Sequence, residues 1–148
     1  METDLDELTA YIDGWLKDQL DANPVVINID RDVDGPRSWF VRLKGEEKDV
    51  FTIRFHLRQR TLAYETYVMP APEENEAQFY EHLLIRNAKL YGAAFTVGVE
   101  GAIFLQGQLD NRQIRLEEEL DRVLGSLYIW VEQFFRPALR IGFASKFS

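Results

Sequence analysis

The chain contains no cysteine and only two histidines, His56 and His82. The first absence excludes disulfides, thiol catalysis and thiolate metal sites together. The second leaves little for a metal centre, which takes three or four converging ligands, and neither HxxxH nor HxH spacing occurs. Basic charge is also short: 17 Lys and Arg stand against 25 Asp and Glu, a net charge of −8. Phosphate neutralisation needs a basic face, so no nucleic-acid partner is expected. No anionic membrane surface is expected for the same reason. The least charged stretch, residues 90–109, carries four glycines and polar Gln106 and Gln108. It reads as a hairpin and not as a membrane span, which takes about 20 mostly apolar residues. The first residues, METDLDEL, are acidic where a secretory leader is basic, so the expected location is cytoplasmic.

Catalytic motifs are missing too. Ser38, Ser126, Ser145 and Ser148 lie in no G-x-S-x-G context. The glycines form neither GxGxxG nor a P-loop. Asp30, Asp32 and Asp34 alternate in a D-x-D-x-D-G order, but Val41 stands where a calcium loop closes with a bidentate Glu. That segment is expected to be a solvated turn. Glu117, Glu118 and Glu119 fall in the first turns of the predicted last helix, where negative charge suits the helix dipole. The expectation is a chain without catalytic, metal or cofactor residues, and not an enzyme.

What remains is ordinary globular material. Residues 1–148 are enough for one domain, and at this length a core forms without staples. Thr3 is the expected N-cap of a first helix carrying Leu5, Leu8, Ile12, Trp15, Leu16 and Leu20 at helical spacing. The period then changes to two, with strands at 25–29, 38–43, 50–57 and 62–69, separated by short turns and a loop from Asp30 to Pro36. A second helix is expected over 73–90, with Ala77, Tyr80, Leu83, Leu84 and Tyr91 on its apolar side and Gly92 as its C-cap. A hairpin over 94–97 and 102–109 follows. A last helix opens near Asp110, takes Leu116, Leu120, Val123, Leu124, Leu127, Val131 and Phe134 on one side, and kinks or breaks before Pro137. The order αββββαββα with two-sided alternation predicts an α+β fold: a two-layer, twisted antiparallel sheet of about six strands with helices on one face.

Residues 69–109 read MPAPEENEAQFYEHLLIRNAKLYGAAFTVGVEGAIFLQGQL, followed by LDRVLG at 120–125 and RIGF at 140–143. The Pro–Glu–Asn segment before an LLxRN helix, then LYG and a small hairpin, resembles the YbjN family in its actinobacterial form. The resemblance covers most of the chain and is weakest over 25–47. It implies a type III secretion chaperone-like fold, often dimeric, and a role as a regulator of sensory transduction. It supplies no catalytic residue.

With Phe51, Ile53 and Phe55 turned to the helices, Thr52, Arg54 and His56 face outward, joined by Tyr67 and by Phe40, Arg42 and Phe104. Aromatic residues mixed with Arg are what interfaces enrich. These six side chains (Phe40, Arg42, Arg54, His56, Tyr67 and Phe104) are the candidate contacts for a protein or peptide partner, the acidic first helix offers a second surface, and the net negative charge favours basic partners. Gly125 and Ile129, one turn apart on the polar side of the last helix, are the candidate contact of a homodimer. Asn87 on the inner side of the second helix is expected to tie the helix end to the adjacent hairpin. The alternative function is a small-molecule binder or unrecognised enzyme, with a pocket between sheet and helices near Tyr64, Asn87 and Tyr91.

Overall fold

The computed structural model describes residues 4–35 and 37–147. The elements are α1 (Leu5–Ala22), β1 (Val26–Arg31), β2 (Ser38–Lys44), β3 (Val50–Leu57), β4 (Thr61–Met69), α2 (Glu76–Asn87), β5 (Ala94–Val97), β6 (Ile103–Asp110), α3 (Glu119–Gly142) and a final short α4 (Ala144–Phe147). The strands form one antiparallel six-stranded sheet in the order β1-β2-β3-β4-β6-β5. The α+β architecture and the element order are those the hydrophobic periods predict.

One-sidedness follows from the alternation. Trp39, Val41 and Leu43, then Phe51, Ile53, Phe55 and Leu57, then Leu62, Tyr64 and Val68, are buried on one face. They share a core with Leu8, Ile12 and Leu16 of α1, Phe79 and Leu83 of α2, and Leu120, Val123, Leu124, Leu127 and Val131 of α3. Polar pairs fasten the helices to this face. Trp39 Nε1 donates to Asp13 Oδ1 at 2.7 Å, and Arg31 pairs with Asp13 Oδ2 at 2.9 Å. Trp15, edge-on to Phe55, donates from Nε1 to Asp121 of α3 at 2.7 Å.

The helix ends differ from the sequence reading, each for a local reason. Thr3 lies outside the described residues, and Asp4 caps α1 by accepting from the backbone of Asp6 and Glu7 at 2.9 and 3.3 Å. Leu20 is exposed. Helix α2 begins at Glu76, not 73, because the preceding backbone docks on the end of α3: Glu73 N and Glu74 N both donate to Gly142 O, and Asn75 takes a left-handed φ of 53°. Its buried line is Phe79 and Leu83, so Leu84 and Tyr91 face solvent. It ends at Asn87 with Ala88 as C-cap, which leaves Gly92 free for another role. Asp110 caps a 3-10 turn at Asn111–Gln113, and α3 starts only at Glu119, because Glu118 sits at φ 67° outside helical space. Leu116 is therefore exposed. Helix α3 continues through Pro137 to Gly142, so the expected break does not occur.

Gly92 and Gly107 bring a loop directly onto the sheet. Gly92 has a φ of 79°, and a Cβ on Gly107 would fall 2.0 Å from Gly92 O. That carbonyl also accepts from Tyr64 Oη at 2.6 Å. Only glycine permits this approach.

Candidate interaction face and its trough

The register places seven cross-strand pairs on the uncovered face. Phe40 pairs with Arg54, Arg42 with Thr52, and Ser38 with His56. Arg54 pairs with Glu65 and His56 with Ala63 on the next strand. Glu65 pairs with Gln106 and Tyr67 with Phe104 beyond that. Phe40, Arg42, Arg54, His56, Tyr67 and Phe104 thus all project from the face opposite the helices, and none belongs to the core. Four of them, Arg54, His56, Tyr67 and Phe104, belong to two groups.

The first group builds a trough of about 480 Å³. Its walls are Arg54, His56, Arg58, Glu65, Thr96, Gln106 and Gln108, with the short side chains of Ala63 and Ala94 and the backbone of Gly107 among them. Ala63 on β4 and Ala94 on β5 leave space that longer side chains would fill. Arg54 reaches Glu65 only at 3.9 Å. His56 Nδ1 shares a 2.5 Å hydrogen bond with Ser38 Oγ, which also accepts from Arg54 Nη2 at 3.5 Å. Ser38 Oγ either donates to Nδ1 or accepts from it, according to the imidazole tautomer. Partial burial, with Arg54 and Arg58 beside it, holds the His56 imidazole below its ordinary pKa, against a smaller opposing pull from Asp32.

Two loops hold these groups. The segment after β1 turns over Ser38: Asp32 N donates to Ser38 O, Ser38 N to Gly35 O, and Asp34 N to Asp32 Oδ1. Asp32 closes an Asx turn of the kind short acidic side chains form, and Pro36 lies outside the described residues. Across the β3–β4 turn, Asn111, buried at 3% exposure, donates from Nδ2 to Arg58 O at 2.9 Å. Asn111 N donates to Arg60 O.

The second group is aromatic. Tyr67 and Phe104 meet edge-on at 5.8 Å between ring centroids. Lys48 Nζ lies 4.9 Å from the Tyr67 centroid and 5.1 Å from that of Phe135, and it donates to Val68 O at 2.6 Å. Burial pushes the Lys48 ammonium below its ordinary pKa.

The remaining candidates fall elsewhere. Tyr64, Asn87 and Tyr91 do not converge on a pocket: Tyr64 holds Gly92, Asn87 pairs with the backbone of Phe95, and Tyr91 lies 73% exposed under Arg122. The acids of α1 are largely structural. Asp6 pairs with Arg37, Glu7 with Arg115 and Asp13 with Arg31. His82 is on α2, where burial and Arg86 depress its pKa, and its Nε2 has no partner among the described residues. Gly125 and Ile129 face outward from α3; Ile129 is 57% exposed and nothing approaches the Cβ position of Gly125. No group of three or more His, Asp or Glu suited to a metal ion occurs among the described residues. No helix among them is long and apolar enough to cross a membrane.

Arg58, Glu65, Thr96 and Gln108 were not singled out from sequence. The signal for Arg58 was available: the period-two run Thr52, Arg54, His56 reaches it one step beyond the strand end. Glu65 and Gln108 required the cross-strand register.

Comparison of the sequence with known proteins finds a family. The family profile YbjN, described as "putative bacterial sensory transduction regulator", matches residues 14–140. An uncharacterized protein of Mycobacterium tuberculosis is 34% identical over 110 residues, covering 74% of this chain and 60% of the relative. One from Mycobacterium leprae is 31% identical over 112 residues, covering 76% of this chain and 60% of the relative. The chain thus spans about 60% of the length of these relatives.

Proposed function

The chain belongs to the YbjN family, and from that membership and the make-up of the uncovered sheet face we propose that it is a non-enzymatic regulatory domain that holds a protein partner. The carrying observation is the Arg54–His56–Arg58 trough bordered by the Tyr67–Phe104 pair on a face with no helix layer. Apolar and aromatic side chains of a partner would lie against Phe40, Tyr67 and Phe104. Its acidic residues would lie over the arginines, where opposite charge guides docking and sets register. The net charge of −8 favours basic partners in general, but this face is locally of the opposite sign, so the segment that docks here is acidic.

Panning a displayed library of random peptides against the purified protein tests this reading. The expected result is enrichment of sequences that combine Asp or Glu with an aromatic residue, and binding that falls at least tenfold in Arg54→Glu/Tyr67→Ala. Enriched peptides that bind the double variant equally well would show that another surface is at work.

A further inference from the structure

We infer that the trough is a site for a carboxylate- or phosphate-bearing group, with Arg54 and Arg58 as its fixed charges and His56 as a third donor that charges when the anion arrives. This rests on the outer face being the working surface and specifies what its centre recognises.

Local charge decides the class of ligand. Two guanidiniums and one imidazole face one carboxylate, Glu65, inside a trough of a protein that is otherwise strongly acidic. Arg54 makes only a long contact with Glu65, and Arg58 makes no ion pair among the described residues. Guanidinium forks are the side chains best matched to planar carboxylate and to phosphate. The neutral donors Gln106, Gln108 and Thr96 add hydrogen-bonding capacity around them. A volume of about 480 Å³ is within the range of small-ligand sites, roughly 300–1,000 Å³.

His56 makes the site pH-dependent. The groups facing it are Arg54 and Arg58, which oppose its protonation, Asp32, which favours it, and Ser38, which occupies Nδ1. Empty, the site disfavours the charged ring, first through burial and then through the two cations already present. An anion between the arginines offsets the coulombic part of that cost and offers the charged ring an acceptor. Binding therefore takes up a proton, and affinity rises as pH falls through the His56 pKa. If the bound ring titrates one unit higher than the free ring, the charged form binds about tenfold more tightly. Asn111 acts as a positioning residue, fixing the backbone from which Arg58 extends.

The test uses the wild-type chain, whose two histidines give one Hε1 signal each in proton NMR. Each is titrated from pH 4.5 to 8 at constant ionic strength in sodium chloride, then with inorganic phosphate, with citrate, and with a Glu-rich peptide. A His56→Gln variant assigns the signals. The expected result is an upward shift of the His56 midpoint by about one unit with at least one probe, while His82 stays in place. Phosphate or citrate alone would identify a free small anion; the peptide alone would identify a partner's carboxylates. Equal shifts at both histidines, or none at His56, overturn the inference. Glu65→Gln supplies a second reading: removing the one carboxylate in the trough raises affinity about fivefold, and an unchanged or lower affinity also overturns it. Peptide docking that persists without any His56 shift would leave the docking face standing and remove the anion site.

Discussion

The side-chain amide of Asn87 pairs with Phe95 as a neighbouring strand would. Its Nδ2 donates to Phe95 O at 3.0 Å, and its Oδ1 accepts from Phe95 N at 2.7 Å. Both groups of Phe95 point away from β6, because β5 is the last strand of the sheet. Asn87 therefore satisfies an open edge and joins α2 to the hairpin at once. An edge left with free N–H and C=O groups is a template for pairing with another chain.

Asn87→Leu is accordingly expected to lose about 1–3 kcal/mol of stability, the cost of leaving two half-buried backbone groups unpaired. It should also increase self-association through β5. Urea unfolding reads the first effect, and light scattering over a concentration series reads the second. A variant as stable and as monodisperse as wild type would show that water replaces the amide at no cost.

Asp13 ties α1 to the opposite end of the sheet. It accepts from Trp39, a fully buried ring, and pairs with Arg31. Asp13→Leu leaves the indole N–H buried without an acceptor, and about 1–3 kcal/mol is expected to be lost. Asp13→Asn retains an acceptor and should recover most of it. Urea midpoints for the two variants separate loss of the indole bond from loss of the charge.

The strands were legible because alternation is written in consecutive residues: Phe51, Ile53, Phe55 against Thr52, Arg54, His56 fixes both strand and facing. The helix boundaries were less so. Asn75 and Glu118 adopt left-handed backbone at the starts of α2 and α3, and neither is a residue type whose local pattern demands it. Those starts are set by tertiary docking, as when the Glu73 and Glu74 amides meet Gly142 O. Asn87 was placed correctly by its spacing from Leu83. The outer-face side chains were found, but the trough was not. Its concavity draws on Ala63 of β4 and Ala94 of β5, set on either side of β6 opposite Gln108 and Gln106, which only the β4–β6–β5 register reveals.

Gly125 and Ile129 bear on self-association of a different kind. If two copies meet across this part of α3, Ile129→Glu places charges in the contact and the mass by light scattering falls to that of one chain. The side chain is 57% exposed, so the variant should unfold within about 0.5 kcal/mol of wild type. An unchanged mass removes Gly125 and Ile129 from any interface.

Stability should fall on mild acidification, and the sign follows from the two histidines. Both His56 and His82 are held below the ordinary imidazole pKa of 6.5, mainly by burial and then by neighbouring arginines. The folded chain therefore binds fewer protons than the unfolded chain in this range. The stability contributed by neutral rings is fully present above pH 6.5 and is lost as pH falls through the folded-state values. The urea midpoint at pH 5.5 is expected to lie below that at pH 7.5. His82→Gln and His56→Gln should each reduce the difference, because glutamine does not titrate. The two histidines separate on adding an anion. Phosphate or citrate at constant ionic strength should offset the His56 share by raising that pKa, and leave the His82 share intact. An anion that diminished the acid sensitivity of His56→Gln as strongly as that of wild type would be acting elsewhere on the surface.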